Sequence, residues 1–425
     1  MSFVPEAPAG IGDDGKVSAY AWRLLLFLTA LNILNFVDRL LIASLAPLLI
    51  ADLGLTRAQI GLLAGFGFVF FYSFVGLFLG LAADRYRRIP LVTAGLALWS
   101  AMTALSGWAK SFGQLAIPRI FVGVGEATLT PSALSMLGDA FPPKRLAMAS
   151  GVYYAGIPLG TAVSLIASSY VAPRYGWRAC FYVLGIVGLV AAVALYFFPE
   201  PARRGAVSQS KVTLRGLVAD LVEALKSRRE LVLALIGGSM LVYGSGAALL
   251  IVTWLVEERG YDYPSAALRA GLVAVFAGFF GNLAGGAFAD ACAKRRANGH
   301  LWSLIPMTLF FAPVTLAFYT LEPGTPLFFV CWFFAAAGTS AYFGPLFASL
   351  QQMAPAQTRS TVIAFGLLVM NLLGVGPGPL VTGWLGDERS LTLGLAASQA
   401  IVVLAIIPFA MAARKAKAPP PANRS

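Results

Sequence analysis

The chain has few charged residues, a single histidine and only three cysteines. Charged residues make up 12% of its 425 positions, about half the share that is usual in soluble domains, so a water-soluble globular fold is excluded. Cys180, Cys292 and Cys331 lie far apart and form no C-x-x-C pair. The cysteines therefore indicate neither a redox or metal motif nor a secreted disulfide framework, and we expect them to be small core residues.

Motifs of nucleotide-driven and metal-dependent enzymes are also missing. The sequence has no G-x-x-x-x-G-K-[ST] phosphate-binding loop and no H-E-x-x-H zinc motif. The stretch "GVGEAT", residues 123–128, begins like a dinucleotide loop but lacks the third glycine and lies within an apolar segment. We predict that the protein is not an enzyme, and that it has no catalytic residues, no metal site and no cofactor.

Long apolar segments dominate the chain instead, with 58% hydrophobic residues and a mean hydropathy of +0.77. A helix needs about 20 apolar residues to cross a bilayer, and spanning segments without barrel-like alternation must be helices. The sequence therefore predicts an all-α integral membrane fold with twelve spans. We place the spans at 20–46, 58–83, 89–109, 112–138, 147–170, 177–198, 231–256, 267–291, 301–321, 325–352, 359–385 and 389–412.

The net charge of +12 is distributed unevenly between the loops. If the N-terminus is cytoplasmic, 22 of the 31 Lys and Arg residues lie on the cytoplasmic side and seven on the other side. This bias follows the positive-inside rule. It indicates an even number of spans, a multi-pass protein with both termini in the cytoplasm, and no role in binding nucleic acid.

The spans divide into two groups of six around the longest polar break. We predict a cytoplasmic N-terminal segment (1–19), an N-terminal six-helix bundle (20–198), a cytoplasmic linker (199–230), a C-terminal six-helix bundle (231–412) and a disordered basic cytoplasmic tail (413–425). Apolar residues between Leu214 and Leu225 recur at helical spacing, so the linker is expected to contain an amphipathic helix.

A short repeat relates the two halves. "GLAADRYRR" follows the second span from Gly80 to Arg88, and "GAFADACAKRR" follows the eighth from Gly286 to Arg296. Each has a glycine four residues before an aspartate, and Asp84 and Asp290 are 206 positions apart. Such a repeat is typical of transporters built from two duplicated halves.

These residues resemble the major facilitator superfamily of secondary transporters. In the loop signature of that family, Gly80 would allow close helix packing, while Asp84, Arg85 and Arg88 would lock the cytoplasmic gate; the chain departs from the signature at residues 87 and 89. The resemblance implies a fold of two pseudo-symmetric six-helix halves and transport by alternating access.

Two further motifs lie in the fourth and fifth spans. "GIPLG", with Gly156, Pro158 and Gly160, is similar to the family's Gly-Pro motif, and small residues at spacing four let helices approach closely. We assign these three residues to gating. Arg119 occupies the place of the family's intramembrane arginine.

A narrower resemblance is to the spinster branch of this superfamily. It rests on "NFVDR" (35–39), "RIFVGVGEA" (119–127), "DRYRR" (84–88) and "GVGPGP" (374–379). The branch exports lysolipids such as sphingosine phosphate or lysophospholipids, and the short loops of this chain suggest a bacterial member in the inner membrane. The resemblance thus implies a lysolipid substrate in contact with membrane lipids, and we expect a monomer.

Four charges lie deep within the predicted spans: Asp38, Arg39, Arg119 and Glu126. A charge at the centre of a spanning helix costs about 2.5–3.5 kcal/mol on insertion scales, so each should face a partner or a watery cavity. We predict that Arg39 pairs with Glu126 and leaves Arg119 available to an anionic head group. Ion pairs that only hold the first and fourth spans together are the alternative interpretation.

Coupling to protons is expected from the same residues. The only histidine, His300, is placed in the cytoplasmic loop after the eighth span, so Asp38 and Glu126 are the titratable groups deep within spans. Burial raises the pKa of a carboxylate and a neighbouring arginine lowers it, so a moving partner switches protonation. We assign Asp38 as the main proton carrier and Glu126 as the link to substrate; sodium stays open, since carboxylates also bind Na⁺.

Substrate contacts and gates complete the predicted site. The predicted substrate-binding residues are Arg119, Arg39, Glu126, Asn35, Tyr153 and Tyr342. Asp84 is expected near the start of the eleventh span, around Arg359, and Asp290 near Ala147, because a carboxylate favours the positive end of a helix dipole.

Two other functions stay open at this point. One is a superfamily carrier for another organic anion, a sugar acid or a drug. The other is a lipid scramblase or sensor in which the buried charges are structural and no gradient is used.

Overall fold

The computed structural model describes residues 17–203, 223, 225–354 and 359–415. Twelve of its helices, or runs of adjoining helices, are long and apolar enough to cross a membrane, as predicted, and we number these spans α1 to α12. The first six comprise α1 Ala19–Leu53; α2 Arg57–Gly61, Leu62–Phe66 and Gly67–Arg85; α3 Arg88–Ser106; α4 Phe112–Glu126 and Leu129–Ala140; α5 Pro143–Tyr154 and Gly156–Tyr175; and α6 Trp177–Tyr196.

The second six spans follow after the linker. They comprise α7 Arg229–Ala247, Ala248–Leu250 and Ile251–Glu257; α8 Tyr263–Arg295; α9 Gly299–Thr320; α10 Pro326–Ala341 and Phe343–Met353; α11 Arg359–Met370, Asn371–Val375 and Pro377–Glu388; and α12 Leu391–Leu404 and Ile406–Lys415. An even number of spans predicts that both termini lie on one side of the membrane, which we call the terminal side.

The boundaries correct the sequence prediction in two places. The last helix runs through Lys415, so the tail predicted to be disordered from residue 413 begins with three helical residues. His300 lies in the first turn of α9 and not in a loop, because the helix starts at Gly299, earlier than the apolar run alone suggests. The predicted amphipathic helix (214–225) lies almost wholly outside the described residues.

Short π-helical segments interrupt α2 at Leu62–Phe66 and α11 at Asn371–Val375. In α11 the segment ends where "GVGPGP" brings in Pro377 and Pro379, whose rings remove amide donors from the helical ladder. Insertions of this kind widen one turn and are frequent at functional sites.

The chain separates into two compact units. Unit 1 comprises Met1–Leu55, Gly67–Ser210 and Asp262–Gly271, and unit 2 comprises Thr56–Phe66, Lys211–Tyr261 and Leu272–Ser425. The first turns of α2 therefore pack in unit 2 and the first turns of α8 pack in unit 1. In α2 the change of unit falls directly after the π-helical segment.

The beginning of α2 is fixed inside unit 2 by charges. The carboxylate of Asp387 accepts hydrogen bonds from the backbone N–H groups of Arg57 and Ala58, both at 2.9 Å. The Arg57 guanidinium donates to Glu257 at 2.7 Å and to the Gly386 carbonyl at 2.9 Å. A carboxylate on the first amides of a helix satisfies donors that have no helical partner and complements the helix dipole.

In unit 1, α1 and α5 approach through the glycines of "GIPLG". A side-chain carbon built on Gly160 would lie 2.5 Å from the Ile33 carbonyl oxygen and 2.6 Å from the Phe36 Cβ, and one on Gly156 would lie 2.9 Å from the Asn32 amide. These distances leave no room for a side chain. The close packing expected from small residues at spacing four is present, and it brings α5 against the helix that carries Asp38.

We predict that Gly160→Val destabilises the protein and that Gly138→Val does not. The added side chain at Gly160 meets the α1 backbone, whereas a carbon on Gly138 has nothing within 4 Å. Overpacking of this kind costs about 1–3 kcal/mol. Thermal unfolding of the purified variants in detergent measures the difference, and equal melting temperatures would show that the α1–α5 contact tolerates separation.

Candidate functional site

The deep charges predicted from the sequence meet in unit 1. Asp38 and Arg39 lie on α1, and Arg119 and Glu126 lie on α4, two turns apart on one face. Asp38, Arg119 and Glu126 expose only 1–3% of their surface, and the Arg39 side chain exposes 22%. With two positive and two negative side chains, the cluster has no formal net charge.

Arg39 and Glu126 form one ion pair of this cluster. The Glu126 Oε2 atom accepts from Arg39 Nη2 at 3.0 Å and from Arg39 Nε at 3.3 Å. Asn35, one turn earlier on α1, accepts from the same Nη2 at 3.5 Å through Oδ1. The predicted pairing of Arg39 with Glu126 is therefore observed.

Asp38 and Arg119 form the second pair, with Nη1 3.3 Å from Oδ1. Thr103 of α3 donates to the other carboxylate oxygen, Oδ2, so each oxygen of Asp38 has a partner. Neighbouring residues on a helix point about 100° apart, which explains why Asp38 and Arg39 pair with different residues.

Arg119 has partners in this structure that the sequence analysis did not name. Besides the Asp38 carboxylate, its guanidinium donates to the backbone carbonyls of Asp38 at 3.3 Å and Arg39 at 2.8 Å. These α1 carbonyls take up part of its donors, and the role of Arg119 towards an anionic head group stays a prediction. Arg39, which is partly exposed, is the more accessible of the two guanidinium groups.

Three polar atoms of the cluster have no hydrogen-bond partner among the described residues: Asn35 Nδ2, Arg119 Nε and Glu126 Oε1. Each belongs to a side chain that is almost fully buried. Buried polar atoms are normally paired, and leaving one unpaired costs about 1–3 kcal/mol. The cluster therefore has spare donors and a spare acceptor for a ligand, a proton or water.

The two predicted tyrosines each have contacts within their own unit. Tyr153 on α5 is fully buried, and its hydroxyl is 3.2 Å from the Thr130 hydroxyl. Its backbone carbonyl accepts from the Asn32 amide at 2.8 Å. Tyr342 belongs to unit 2, where its ring packs edge-on against Phe311 at 5.9 Å.

Three of the predicted gate residues lie at the end of α2. Gly80, Asp84 and Arg85 lie in the last turns of α2, but their side chains are outside the described part of the chain, as is that of Arg359. The expected contact between Asp84 and the start of α11 thus stays a prediction. At the other end of α11, the Asp387 carboxylate accepts from the first backbone amides of α2. The predicted contact joins a carboxylate of α2 to the start of α11, whereas this one joins a carboxylate of α11 to the start of α2.

Arg88, the described arginine of the loop signature, is a buried hub with only 1% of its side chain exposed. It forms ion pairs with Asp139 of α4 and with Glu200 just after α6, the latter at 3.2 Å. It also donates to Ser135 at 3.0 Å and to the Pro201 carbonyl at 2.9 Å. All these residues lie in unit 1 on the terminal side.

Asp290, the repeat counterpart of Asp84, contacts the only histidine. Its Oδ1 lies 3.1 Å from His300 Nε2, and the other ring nitrogen of His300 lies 3.0 Å from the Gln352 amide. Asp290 thereby connects the ends of α8, α9 and α10 within unit 2. The predicted contact with the start of α5 around Ala147 stays a prediction, since the Ala147 side chain is outside the described part.

Sequence reasoning missed several partners of these charges. Thr103, Asp139 and Glu200 hold Asp38 and Arg88, but Thr103 is an unremarkable residue in an apolar span. Asp139 and Glu200 carried a usable signal, because acidic residues are scarce in this chain, with 19 in all, and those near span ends need basic partners.

The family model of the Major Facilitator Superfamily matches residues 28–301. A curated relative, the MFS-type efflux pump of Mycolicibacterium smegmatis, is 29% identical, with 88% of this chain and 86% of the relative covered. The hexuronate transporter of Bacillus subtilis is 28% identical, with 91% and 94% covered. The sphingosine-1-phosphate transporter SPNS2 of Xenopus tropicalis is 25% identical, with 84% and 72% covered.

Among solved structures, a bacterial homologue of the human lysosomal transporter Spinster has the same fold. The TM-score is 0.82 at 23% sequence identity, with 94% of this chain and 98% of that chain covered. Together with the relatives, this match confirms the predicted spinster-like resemblance.

We predict that Arg88→Ala lowers stability far more than Arg87→Ala. Arg88→Ala removes a buried cation from the ion pairs with Asp139 and Glu200, and loss of one partner of a buried pair costs about 3–5 kcal/mol. Arg87 exposes 59% of its side chain and forms one pair, with Glu200 at 3.4 Å, and such pairs contribute about 0–1 kcal/mol. Melting temperatures of the two variants in detergent test this ranking, which equal values would contradict.

Proposed function

Since the chain belongs to the Major Facilitator Superfamily, and is thus a membrane transporter and not an enzyme, we propose that it moves a lysolipid-like anionic amphipath by proton-coupled alternating access. The observation that carries this proposal is the buried four-charge cluster of Asp38, Arg39, Arg119 and Glu126. Its net charge is zero, and one of its arginines is partly exposed. Two of its polar atoms, Arg119 Nε and Glu126 Oε1, have no hydrogen-bond partner among the described residues.

The Arg39–Glu126 pair is the proposed head-group site. When Glu126 takes up a proton, Arg39 loses its counter-charge in an apolar environment, where an uncompensated charge is costly. An anionic head group then restores neutrality by occupying the place of the carboxylate. Protonation and substrate binding thereby favour one another, and by linkage the effect is reciprocal.

Asp38 is the proposed main proton carrier. The negative charge of its carboxylate holds Arg119, which otherwise rests on two backbone carbonyls of α1. A proton on Asp38 removes that charge and releases the guanidinium. Since Arg119 also borders Glu126 along α4, the two carboxylates form one titrating system. The transport experiment below distinguishes coupling to protons from coupling to sodium.

A lysolipid is the proposed cargo because the buried charge is confined to one half of the chain. All four deep charges lie in unit 1, whereas the buried residues in the described part of unit 2 include no Asp, Glu, Lys or Arg. A polar head and an acyl chain match this division. The sphingosine-1-phosphate transporter among the relatives supports this class, and the hexuronate transporter supports a smaller organic anion as the second candidate.

We further propose that the protein resides as a monomer in a bacterial inner membrane with its terminal side in the cytoplasm. The support is the excess of Lys and Arg in the loops of that side. Gating by Gly80, Asp84, Arg85, Arg88, Asp290, Gly156, Pro158 and Gly160 belongs to the same proposal.

Transport by the purified protein in liposomes tests the cargo. A fluorescent lysophosphatidylglycerol is placed in one leaflet, an imposed pH gradient drives movement, and extraction by albumin reports the accessible lipid. We expect movement to depend on the gradient and to persist when K⁺ replaces Na⁺. Stronger uptake of labelled glucuronate than of lysolipid would favour the small-anion carrier, and equal movement without a gradient would favour a scramblase.

We predict that Asp38→Asn abolishes accumulation driven by the pH gradient, because the side chain can no longer carry a proton. Asp52→Asn is the matched control, since Asp52 lies on the same helix with its side chain 46% exposed. For Glu126→Gln we expect exchange of substrate at equal pH to continue while gradient-driven accumulation falls at least about tenfold. Full gradient-driven uptake by Asp38→Asn would overturn the assignment of the proton carrier.

A further inference from the structure

One aromatic ring contacts both arginines of the cluster. The Phe68 ring centroid is 5.0 Å from the Arg39 guanidinium carbon and 4.5 Å from that of Arg119. Phe68 is 1% exposed, so the contacts are made away from water. One phenylalanine therefore faces both ion pairs at once.

The ring is part of a small aromatic group around Arg39. Tyr72 stacks on Phe68 with centroids 5.7 Å apart and planes inclined by 20°, and its own ring lies 4.4 Å from the Arg39 guanidinium carbon. Phe36 of α1 covers another side at 4.7 Å. Aromatic faces attract cations, most strongly when water is excluded, so these rings restrict where Arg39 can move.

The position of Phe68 depends on a glycine of α4. A side-chain carbon built on Gly123 would lie 3.2 Å from the Phe68 carbonyl oxygen and 3.4 Å from the edge of its ring. Gly123 is three residues before Glu126, so α2 lies against the turn of α4 that carries the carboxylate. The motif "GVGEA" thus supplies both the acid and the space for the ring.

Phe68 also follows the point where α2 leaves unit 2. The π-helical segment ends at Phe66, and Gly67 is the first residue of the helix that belongs to unit 1. Phe68 is therefore the first fully buried ring of α2 in unit 1.

We propose that Phe68 is a positioning residue that keeps Arg39 with Glu126 and Arg119 with Asp38. Without the ring, either guanidinium can reach the carboxylate of the other pair. Protonation of one carboxylate then no longer releases one particular arginine. This inference rests on the proposed function for its consequence in transport, but its geometric part concerns only the ion pairs. The charged and titratable groups facing the ring are Arg39, Asp38, Arg119, Glu126 and Tyr72.

The first test measures transport. Phe68→Leu keeps apolar volume but removes the aromatic face, whereas Phe68→Tyr retains it. We expect Phe68→Leu to exchange substrate at equal pH within about twofold of the wild type, and to lose about tenfold in accumulation driven by a pH gradient. Phe68→Tyr should recover most of the accumulation. Phe74→Leu is the matched control, because Phe74 lies on the same helix and is 54% exposed.

The second test does not require transport. Melting temperatures in detergent are measured for Asp38→Asn, Glu126→Gln and the double variant, in the wild-type chain and in Phe68→Leu. We expect the departure of the two shifts from additivity to be small in the wild-type chain and clearly larger in Phe68→Leu, where partners can be exchanged. Equal additivity in both chains, or unchanged gradient-driven accumulation in Phe68→Leu, would overturn the proposal. A wild-type chain that moves no lysolipid would overturn the proposed function alone.

Discussion

The cost of placing charge in an apolar interior governs the arrangement of this protein. Four charged side chains lie where water is scarce, and removing one partner of a buried ion pair costs several kcal/mol. Two ion pairs between α1 and α4 offset this cost, together with the Thr103 hydroxyl and backbone carbonyls of α1. Because the sum of charges is zero, any proton taken up must be matched by another change. That requirement makes the cluster suited to coupling.

Close helix packing allows these short contacts. The side chains on α1, α3 and α4 can meet only if the helices lie near one another. Gly95 and Gly125 let α3 and α4 approach closely, and Gly156 and Gly160 let α5 pack against α1. Helix α2 places Phe68 in contact with Gly123 of α4. At its other end, α2 begins in unit 2, where Asp387 binds its first amides. One helix thus has a charged anchor at its beginning and an aromatic contact at the cluster.

The sequence permitted some of this arrangement to be foreseen. Arg39 and Glu126 were paired correctly, because adjacent charges on a helix diverge and each needs a counter-charge. The state of Arg119 was not foreseen. Its partners include two backbone carbonyl oxygens. Because every residue has a backbone carbonyl, the residue types in the sequence do not indicate such a bond. Thr103 and Phe68 were missed for the same reason, since threonine and phenylalanine are common throughout the spans.

The sequence alone determined the class of protein, the twelve spans, the duplicated halves and the family, because hydropathy, charge bias and motif spacing are properties of the linear chain. It also identified the four deep charges, since charge within an apolar run is conspicuous. Only the tertiary structure decided which charge meets which, that backbone carbonyls of α1 accept from Arg119, and that α2 and α8 change unit along their length. Those features depend on distances between helices far apart in sequence, and side-chain patterns along one helix do not encode such distances.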